Sequence, residues 1–194
     1  MWDERYAEQG YVYGTDPNSF LREQVRTLYG PVLSIAEGEG RNAVFLATLG
    51  MDVLGVDASA VGLEKAQRLA NSKGVKIQTE VANLADYQPK ENRYGAVVSI
   101  FAHLPSPVRE TLYPLIERSL KPGGLVLLEA YSEKQLGKAT GGPGDIDRLM
   151  SMDKIRAEFP NLEPVLLQEL DRDVNEGKYH TGIASVVQFI GRKV

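Results

Sequence analysis

The chain has 194 residues, of which 43% are hydrophobic and 25% are charged, proportions typical of a soluble globular protein. A chain of this length closes one hydrophobic core, so we expect a single domain over residues 1–194. The net charge of −4, with Lys and Arg scattered along the chain, argues against a nucleic-acid-binding protein, which would present a basic face. The absence of cysteine excludes disulfides, thiolate metal sites and cysteine nucleophiles.

No segment of the sequence is suited to a membrane. The longest apolar run, residues 96–102, is interrupted by Ser99, whereas a membrane-spanning helix needs ~20 apolar residues. The N-terminus is charged and no apolar segment follows it, so it does not resemble a secretory signal. We therefore expect a cytoplasmic protein without membrane contact. With only two histidines and no convincing ligand spacing, we expect no metal site.

The first thirty residues carry aromatic side chains among polar ones, at Tyr6, Tyr11, Tyr13 and Phe20. They precede the first apolar strand and therefore lie outside the predicted sheet. We expect residues 1–30 to form a helical lid segment.

From residue 32 onward, short apolar runs alternate with segments of helical period, the pattern of parallel β/α units. One helix follows the first run, a second begins at the cap residue Ser59 and ends at Gly74, and a third begins at Ser106-Pro107. The turn Lys121-Pro122-Gly123-Gly124 is predicted to separate the third helix from the next strand. The predicted strands of this part are 32–36, 52–56, 76–81, 96–101 and 125–130.

The C-terminal third adds a loop, a helix and two strands. Residues 132–145 are rich in Gly and Lys and are predicted to form a mobile loop, and residues 152–159 a short helix. Residues 164–172 and 183–191 read as two strands joined by a polar turn. The expected fold is therefore α/β, with a Rossmann-like, doubly wound, seven-stranded and mostly parallel sheet that ends in an antiparallel hairpin.

A glycine motif follows the first strand. Gly38-x-Gly40-x-x-Ala43 opens a helix, and Asp57 stands at the end of the second strand, 19 residues after Gly38. Glycines let the backbone approach a ligand closely, and the helix start offers free N–H groups. A carboxylate at the second strand end can accept hydrogen bonds from both hydroxyls of a ribose. The pattern indicates a nucleoside-containing ligand, although a plain strand-to-helix turn and a plain helix cap would look similar.

The charge of this turn helps to choose the nucleoside. Glu37 and Glu39 flank Gly38, and a pyrophosphate would be repelled by them. S-adenosylmethionine has no phosphate and carries a sulfonium and an ammonium group, so an acidic strand end suits it better. An NAD(P)-dependent oxidoreductase remains the alternative, and so does a non-catalytic module that binds S-adenosylmethionine.

At these residues the sequence resembles the class I S-adenosylmethionine-dependent methyltransferases. Glu37-Gly38-Glu39-Gly40 resembles the motif whose backbone wraps the methionine part of the cofactor. Val56-Asp57-Ala58-Ser59 resembles the motif whose acid holds the ribose. Asn83-Leu84 stands where the family contacts adenine, and Leu120-Lys121-Pro122-Gly123-Gly124 resembles a further recurrent feature. The resemblance implies S-adenosyl-L-methionine as cofactor and S-adenosyl-L-homocysteine as product.

Within this group the chain is most similar to the tellurite-resistance and thiol methyltransferase branch. The resemblance implies a small-molecule acceptor, such as a thiol or a chalcogen oxyanion like tellurite. Ala43 departs from the first motif, which commonly ends in a third glycine. The residues that resemble the branch are Trp2-Asp3-x-Arg5-Tyr6, Tyr13-Gly14-Thr15-Asp16-Pro17-Asn18, His103-Leu104-Pro105, Glu129-Ala130-Tyr131, Thr140-Gly141-Gly142-Pro143 and Glu176-Gly177-x-x-His180-x-Gly182.

Methyl transfer from a sulfonium is an in-line displacement, so the protein mainly has to align the reactants and exclude water. A soft nucleophile needs little base catalysis, whereas a hydroxyl or amine needs a general base. The candidates for that base, or for acceptor contact, are His103, Tyr131 and His180. Each of them is equally compatible with a packing or surface role.

Three further residues are candidates for cofactor contact. Phe101 is expected to line the adenosyl pocket, and Tyr13, with Trp2 and Tyr6, to cover the sulfonium as an aromatic lid. Arg41, just inside the helix start, can meet the cofactor carboxylate or lie in solvent. The sequence leaves the choice between a monomer and a homodimer open.

Overall fold

The computed structural model describes residues 1–194 and contains one seven-stranded sheet. Its strands are β1 (Val32–Ile35), β2 (Val53–Asp57), β3 (Gln78–Val81), β4 (Tyr94–Ile100), β5 (Leu120–Tyr131), β6 (Leu162–Asn175) and β7 (Thr181–Lys193). Their order across the sheet is β3-β2-β1-β4-β5-β7-β6. The first five strands run parallel, and β7 lies antiparallel between β5 and β6. The predicted α/β fold with a C-terminal antiparallel hairpin is confirmed.

Both faces of the sheet are covered by apolar cores. Side chains alternate between the faces of a strand, and neighbouring β1 residues belong to different cores: Val32 packs with Ala43 and Ala66, whereas Leu33 packs with Leu112. The sheet is therefore doubly wound. None of the helices combines the length and the apolar character that crossing a bilayer requires. The helices are α1 (Trp2–Tyr6), α2 (Ser19–Gln24), α3 (Arg41–Thr48), α4 (Ala60–Ser72), α5 (Ser106–Ser119) and α6 (Met152–Glu158).

The predicted turn at residues 121–124 lies inside β5 instead of before it. Strand β5 begins at Leu120, which pairs with Tyr94, and the register shifts before Ala96 pairs with Leu125. Gly123 has a φ of 77°, a conformation that favours glycine. The turn residues thus form an irregularity within the strand, where the extra residues are accommodated as in a β-bulge.

The N-terminal segment is only partly the helical lid that the sequence predicts. Helix α1 lies against α4, where Asp3 accepts a hydrogen bond of 2.5 Å from the Ser59 hydroxyl. Helix α2 instead buries Phe20 and Leu21 in the core that covers one face of the sheet. Its apolar side chains stabilise the fold itself, so the part that can act as a lid shrinks to about residues 1–17.

A buried ion network holds the end of this segment in place. It consists of Asn18, Arg41, Glu129, Arg172 and Glu176. The Asn18 amide donates to Glu129 at 2.8 Å and to Glu176 at 2.9 Å. Arg172 donates to both carboxylates, and Arg41 donates to Glu176 at 2.7 Å. Two cations and two anions balance each other, as buried charges require, and they join the N-terminal segment, α3, β5 and the β6–β7 hairpin.

Candidate active site

A cavity of about 960 Å³ lies at the carboxyl ends of β1, β2 and β4. Strand β1 stands between β2 and β4, so the chain changes direction across the sheet at this point. Open α/β sheets bind their ligands at such a switch point. The predicted site residues that line the cavity are Tyr13, Glu37, Gly38, Arg41, Asp57, Ala58, Asn83, Leu84, Phe101, His103 and His180.

The two glycines of the motif serve different purposes. Gly38 lines the cavity with a φ of 62°, and a Cβ there would lie 2.6 Å from the Tyr6 hydroxyl oxygen. Gly40 does not line the cavity. Its φ is 93°, and a Cβ there would lie 2.6 Å from Ala66. Gly40 lets α3 pack closely against α4, and its predicted cofactor contact stays a prediction.

Asp57 holds the glycine turn against the end of β2. Its carboxylate accepts hydrogen bonds from the backbone N–H of Gly38 at 2.9 Å and of Ser59 at 2.8 Å. Burial raises the pKa of this carboxyl above its ordinary value. A carboxylate has about four acceptor positions, so both oxygens can still accept a hydrogen bond from a ribose hydroxyl.

Asn83 and Leu84 form the far end of the cavity, beyond β3. The side-chain oxygen of Asn83 accepts a hydrogen bond of 3.0 Å from the backbone N–H of Ala85. This bond fixes the amide side chain, whose nitrogen makes no hydrogen bond within the protein and can donate to a base edge. Leu84 is buried and supplies an apolar surface beside it.

The sequence suggests that the two glutamates of the turn carry free carboxylates. In the structure both carboxylates are engaged. Glu37 accepts hydrogen bonds from the Ser34 hydroxyl and from the backbone N–H of Ala43, the latter at 2.8 Å. Burial raises the pKa of Glu37 to about 7. Glu39 pairs with Lys65 at 2.8 Å and accepts a bond from Val12 N–H. The preference for a cationic ligand is therefore weaker than two unpaired charges would give.

Arg41 lines the cavity but is engaged in the ion network through Glu176. A guanidinium has five N–H donors, so Arg41 can donate to a ligand carboxylate without leaving Glu176. The predicted contact with the methionine end of the cofactor stays a prediction.

Three stacked rings form the other side of the cavity. The rings of Phe101 and His103 stack on Tyr131, with centroids 4.7 Å and 5.3 Å away and interplanar angles of 24° and 12°. Their own centroids are 5.9 Å apart. Rings on opposite faces of Tyr131 would lie about 7 Å apart or more, given a contact distance of ~3.5 Å. Phe101 and His103 therefore lie side by side on one face of Tyr131 and form a floor.

Tyr131 supports the floor from below. Its side chain is fully buried, and it is not among the residues that line the cavity. Burial raises the pKa of its hydroxyl further above the ordinary value. The predicted contact of Tyr131 with the acceptor stays a prediction.

The two histidines differ in access. Both ring nitrogens of His103 are buried without a hydrogen-bond partner, and burial lowers its pKa to about 3. In His180 only Nδ1 is buried and unpartnered. Its Nε2 makes no hydrogen bond within the protein but is not buried, and His180 lines the cavity. Burial, with Arg41 nearby, lowers the pKa of His180 to about 4, and both rings are neutral at pH 7.

Several cavity residues were not given a role in the sequence. Arg5 lies over the Tyr179 ring at 5.0 Å from its centroid, and Arg148 donates to the carbonyl of His103 at 3.2 Å. Gly141 and Gly142 line the cavity beside these groups. Only the tertiary fold brings residues 5, 148 and 179 together, so no local pattern could have indicated them.

Replacing His103 by phenylalanine is expected to raise the free energy of unfolding by about 1–3 kcal/mol, because two buried nitrogens without partners are removed. Phenylalanine keeps the ring that stacks on Tyr131. Urea unfolding of the ligand-free protein measures the effect. Tyr29→Phe, an exposed substitution outside the cavity, serves as control and should change stability by less than ~0.5 kcal/mol. A less stable His103→Phe protein would show that the nitrogens have partners in solution.

A family model for a methyltransferase domain matches residues 32–124. A curated relative is the 2-heptyl-1-hydroxyquinolin-4(1H)-one methyltransferase of Mycobacteroides abscessus, 24% identical over 119 residues. The match covers 60% of this chain and 52% of the relative, so the chain spans about half the length of that protein.

Solved structures share the fold along nearly the whole chain. A protein solved in work on the conversion of a disulfide bond into a thioacetal group during echinomycin biosynthesis has a TM-score of 0.77 at 21% identity, covering 99% of this chain and 90% of its own. TehB from Haemophilus influenzae has a TM-score of 0.74 at 16% identity, covering 91% and 62%. The N-methyltransferase NodS from Bradyrhizobium japonicum, in complex with S-adenosyl-L-homocysteine, has a TM-score of 0.71 at 14% identity, covering 99% and 96%.

TehB is one of many structural neighbours, and NodS was solved with S-adenosyl-L-homocysteine. Residues 32–124 are similar to a methyltransferase domain. The chain as a whole has the fold of the class I S-adenosylmethionine-dependent methyltransferases.

Proposed function

We propose that the protein transfers a methyl group from S-adenosylmethionine to a small organic acceptor. The observation that supports this is a single cavity with two unlike ends. The Gly38, Asp57 and Asn83 end offers a close backbone approach, a carboxylate for a ribose and an amide for a base. The Phe101 and His180 end is aromatic and neutral.

Bound S-adenosylmethionine supplies a methyl group that is already activated by its sulfonium. The protein therefore has to align the acceptor and exclude water. The N-terminal residues serve the second purpose, because Trp2 and Tyr6 lie at the cavity and α1 rests on α4. Tyr6 also contacts Gly38, so the same segment bounds the cofactor end.

His180 is the proposed proton acceptor. His180 lines the cavity and its ring is neutral at pH 7, so it has a lone pair for the proton of an acceptor hydroxyl or thiol, and its lowered pKa makes it a weaker base than an ordinary histidine. With the cofactor bound, its activated methyl group would pass to the acceptor's oxygen or sulfur, and His180 would take the acceptor's proton and release it to solvent. His103 supports the acceptor through its ring face, since its nitrogens are buried.

An organic thiol or hydroxyl suits the cavity better than tellurite. The rings of Phe101, His103 and His180 line the acceptor end, and both histidines are neutral at pH 7, so an organic group finds more apolar contact there than an oxyanion does. The curated relative is named for an organic substrate, a hydroxyquinolinone. Of the two acceptor classes that the sequence suggests, we therefore propose the thiol or a related organic group.

Two measurements test this function. Calorimetry with S-adenosylhomocysteine should show binding, whereas NADH should not bind. Transfer of a labelled methyl group to a panel of thiols, phenols, selenite and tellurite should show turnover with organic acceptors. Binding of NADH in place of S-adenosylhomocysteine would indicate an oxidoreductase, and cofactor binding without any turnover would indicate a non-catalytic module.

Asp57→Ala is expected to weaken S-adenosylhomocysteine binding by about 1–3 kcal/mol, because the ribose hydroxyls and the Gly38 N–H lose an acceptor. Asp52→Ala is the matched control, since Asp52 is an exposed aspartate at the opposite end of the same strand. Calorimetry compares the two dissociation constants. Equal affinity of the Asp57→Ala and control proteins would refute the assignment of the ribose to Asp57.

A further inference from the structure

The shape of the aromatic end of the cavity restricts the acceptor further. The rings of Phe101 and His103 are within 22° of coplanar and lie side by side on Tyr131. Both residues line the cavity, whereas Tyr131 does not. The cavity is thus bounded on this side by a flat double ring, which has no equivalent at the glycine-turn end.

The ring of His180 stands upright beside this floor. His180 meets the Phe101 ring at 71° with centroids 4.9 Å apart, and it meets the Tyr131 ring at 89°. Tyr13 continues the wall at 4.8 Å from His180. The floor and the wall form a right-angled corner of the cavity, and His180 lines it with a ring of which only Nδ1 is buried without a partner.

A glycine segment, Gly141-Gly142, also borders the cavity. It has no room for side chains. Gly141 and Gly142 have φ values of 117° and 90°, and a Cβ on either would lie within 3 Å of the Tyr131 ring or hydroxyl. Pro143 follows and also lines the cavity. The segment lies close to the stack only because these residues lack side chains.

We infer that this corner binds a planar aromatic acceptor, which stacks on Phe101 and His103 and directs its hydroxyl or thiol at His180. The inference rests on the proposed methyl transfer and names its substrate class. Aromatic rings prefer offset-stacked and edge-to-face neighbours, and the corner offers one of each. A non-planar ring of equal size cannot lie at stacking distance from the floor.

Two thiols that differ only in the ring test the inference. The compounds 2-phenylethanethiol and 2-cyclohexylethanethiol carry the thiol on the same two-carbon linker, so their acidities are matched. We expect kcat/KM for the phenyl compound to be about 5–10-fold higher, from one to two aromatic contacts. Phe101→Leu should bring this ratio close to one. Phe45→Leu, at a half-buried α3 residue outside the cavity, should leave it unchanged.

A binding measurement separates this inference from the proposed function. The methyl sulfide of each thiol is titrated into the protein saturated with S-adenosylhomocysteine. Turnover of both thiols with a ratio near one would overturn the aromatic acceptor and leave methyl transfer in place. Tighter binding of the phenyl sulfide without any turnover would support the aromatic corner and overturn methyl transfer. Equal or absent binding of the two sulfides would count against the corner, whatever the turnover.

Discussion

Replacing Glu129 by alanine is expected to destabilise the protein by about 3–5 kcal/mol, the range seen when one partner of a buried ion pair is removed. Glu129 is fully buried and accepts hydrogen bonds from Asn18, Arg172 and Gln188. Without it, the Arg172 guanidinium keeps only Glu176 as an anionic partner, which Arg41 already shares. Because a domain of this size is stable by only ~5–15 kcal/mol, the loss is a large part of the total.

Urea unfolding monitored by far-ultraviolet circular dichroism measures this effect. The control is Glu169→Ala, which breaks the pair between Glu169 of β6 and Lys134, a residue just after β5 that is 71% exposed. Such a pair contributes at most ~1 kcal/mol. Glu129→Gln keeps a hydrogen-bond acceptor and should retain more stability than Glu129→Ala. Similar losses in the Glu129 and Glu169 variants would show that the network is not a buried, charge-balanced unit.

The same network changes how the N-terminal segment is understood. Its sequence suggests a lid over residues 1–30, because aromatic residues there precede the sheet. Asn18 is nevertheless fully buried between two carboxylates, and Phe20 and Leu21 fill the core. Only residues that precede this anchor can open as a lid. The anchor could not be predicted from the sequence, because Asn18 and Glu176 are 158 positions apart.

The parallel sheet could be predicted from the sequence because its central strands are local and strongly apolar, whereas the edge strand β3 is polar and was indicated by its alternation. Every residue of β4 is buried, and the helix-cap role predicted for Ser59 is confirmed by its hydrogen bond to Gly62 N–H at 3.0 Å. The turn at residues 121–124 was misplaced because its Pro and Gly residues are equally typical of a loop and of an irregular strand. Pairing with β4 decides between the two, and pairing is not a local property.

Residues of the candidate site could be predicted only where a local sequence motif contains the residue and also indicates its role. Gly38 and Asp57 are of this kind, because a glycine turn followed by an acid at the next strand end is a recognisable pattern, and the two residues are joined by a hydrogen bond. The aromatic corner is different. Phe101 and His180 come from opposite ends of the chain's C-terminal half, and their perpendicular rings depend on how the β6–β7 hairpin folds back. For the same reason, Tyr131 could not be recognised as a support beneath the floor.

Substituting His180 by phenylalanine is expected to reduce methyl transfer to an alkyl thiol by about 10²-fold at neutral pH, the lower end of the usual contribution of a general base, because its pKa of about 4 makes it a weak base. Phenylalanine keeps the upright ring of the corner and removes Nε2 and Nδ1. A thiophenol that is already ionised at the assay pH needs no base, so its rate should change by less than about threefold. Affinity for S-adenosylhomocysteine, measured by calorimetry, should be retained.

The pH dependence gives an independent check on His180. Burial and the positive charges of Arg41, Arg5 and Arg172 lower its pKa to about 4, against the opposing effect of Glu176. A base acts in its neutral form, so wild-type kcat for an alkyl thiol should hold as pH falls through 6.5 and decline only near 4. An unperturbed histidine would lose activity around 6.5. A decline centred near 6.5, or an equal loss of both thiols in His180→Phe, would mean that His180 positions the acceptor without taking its proton.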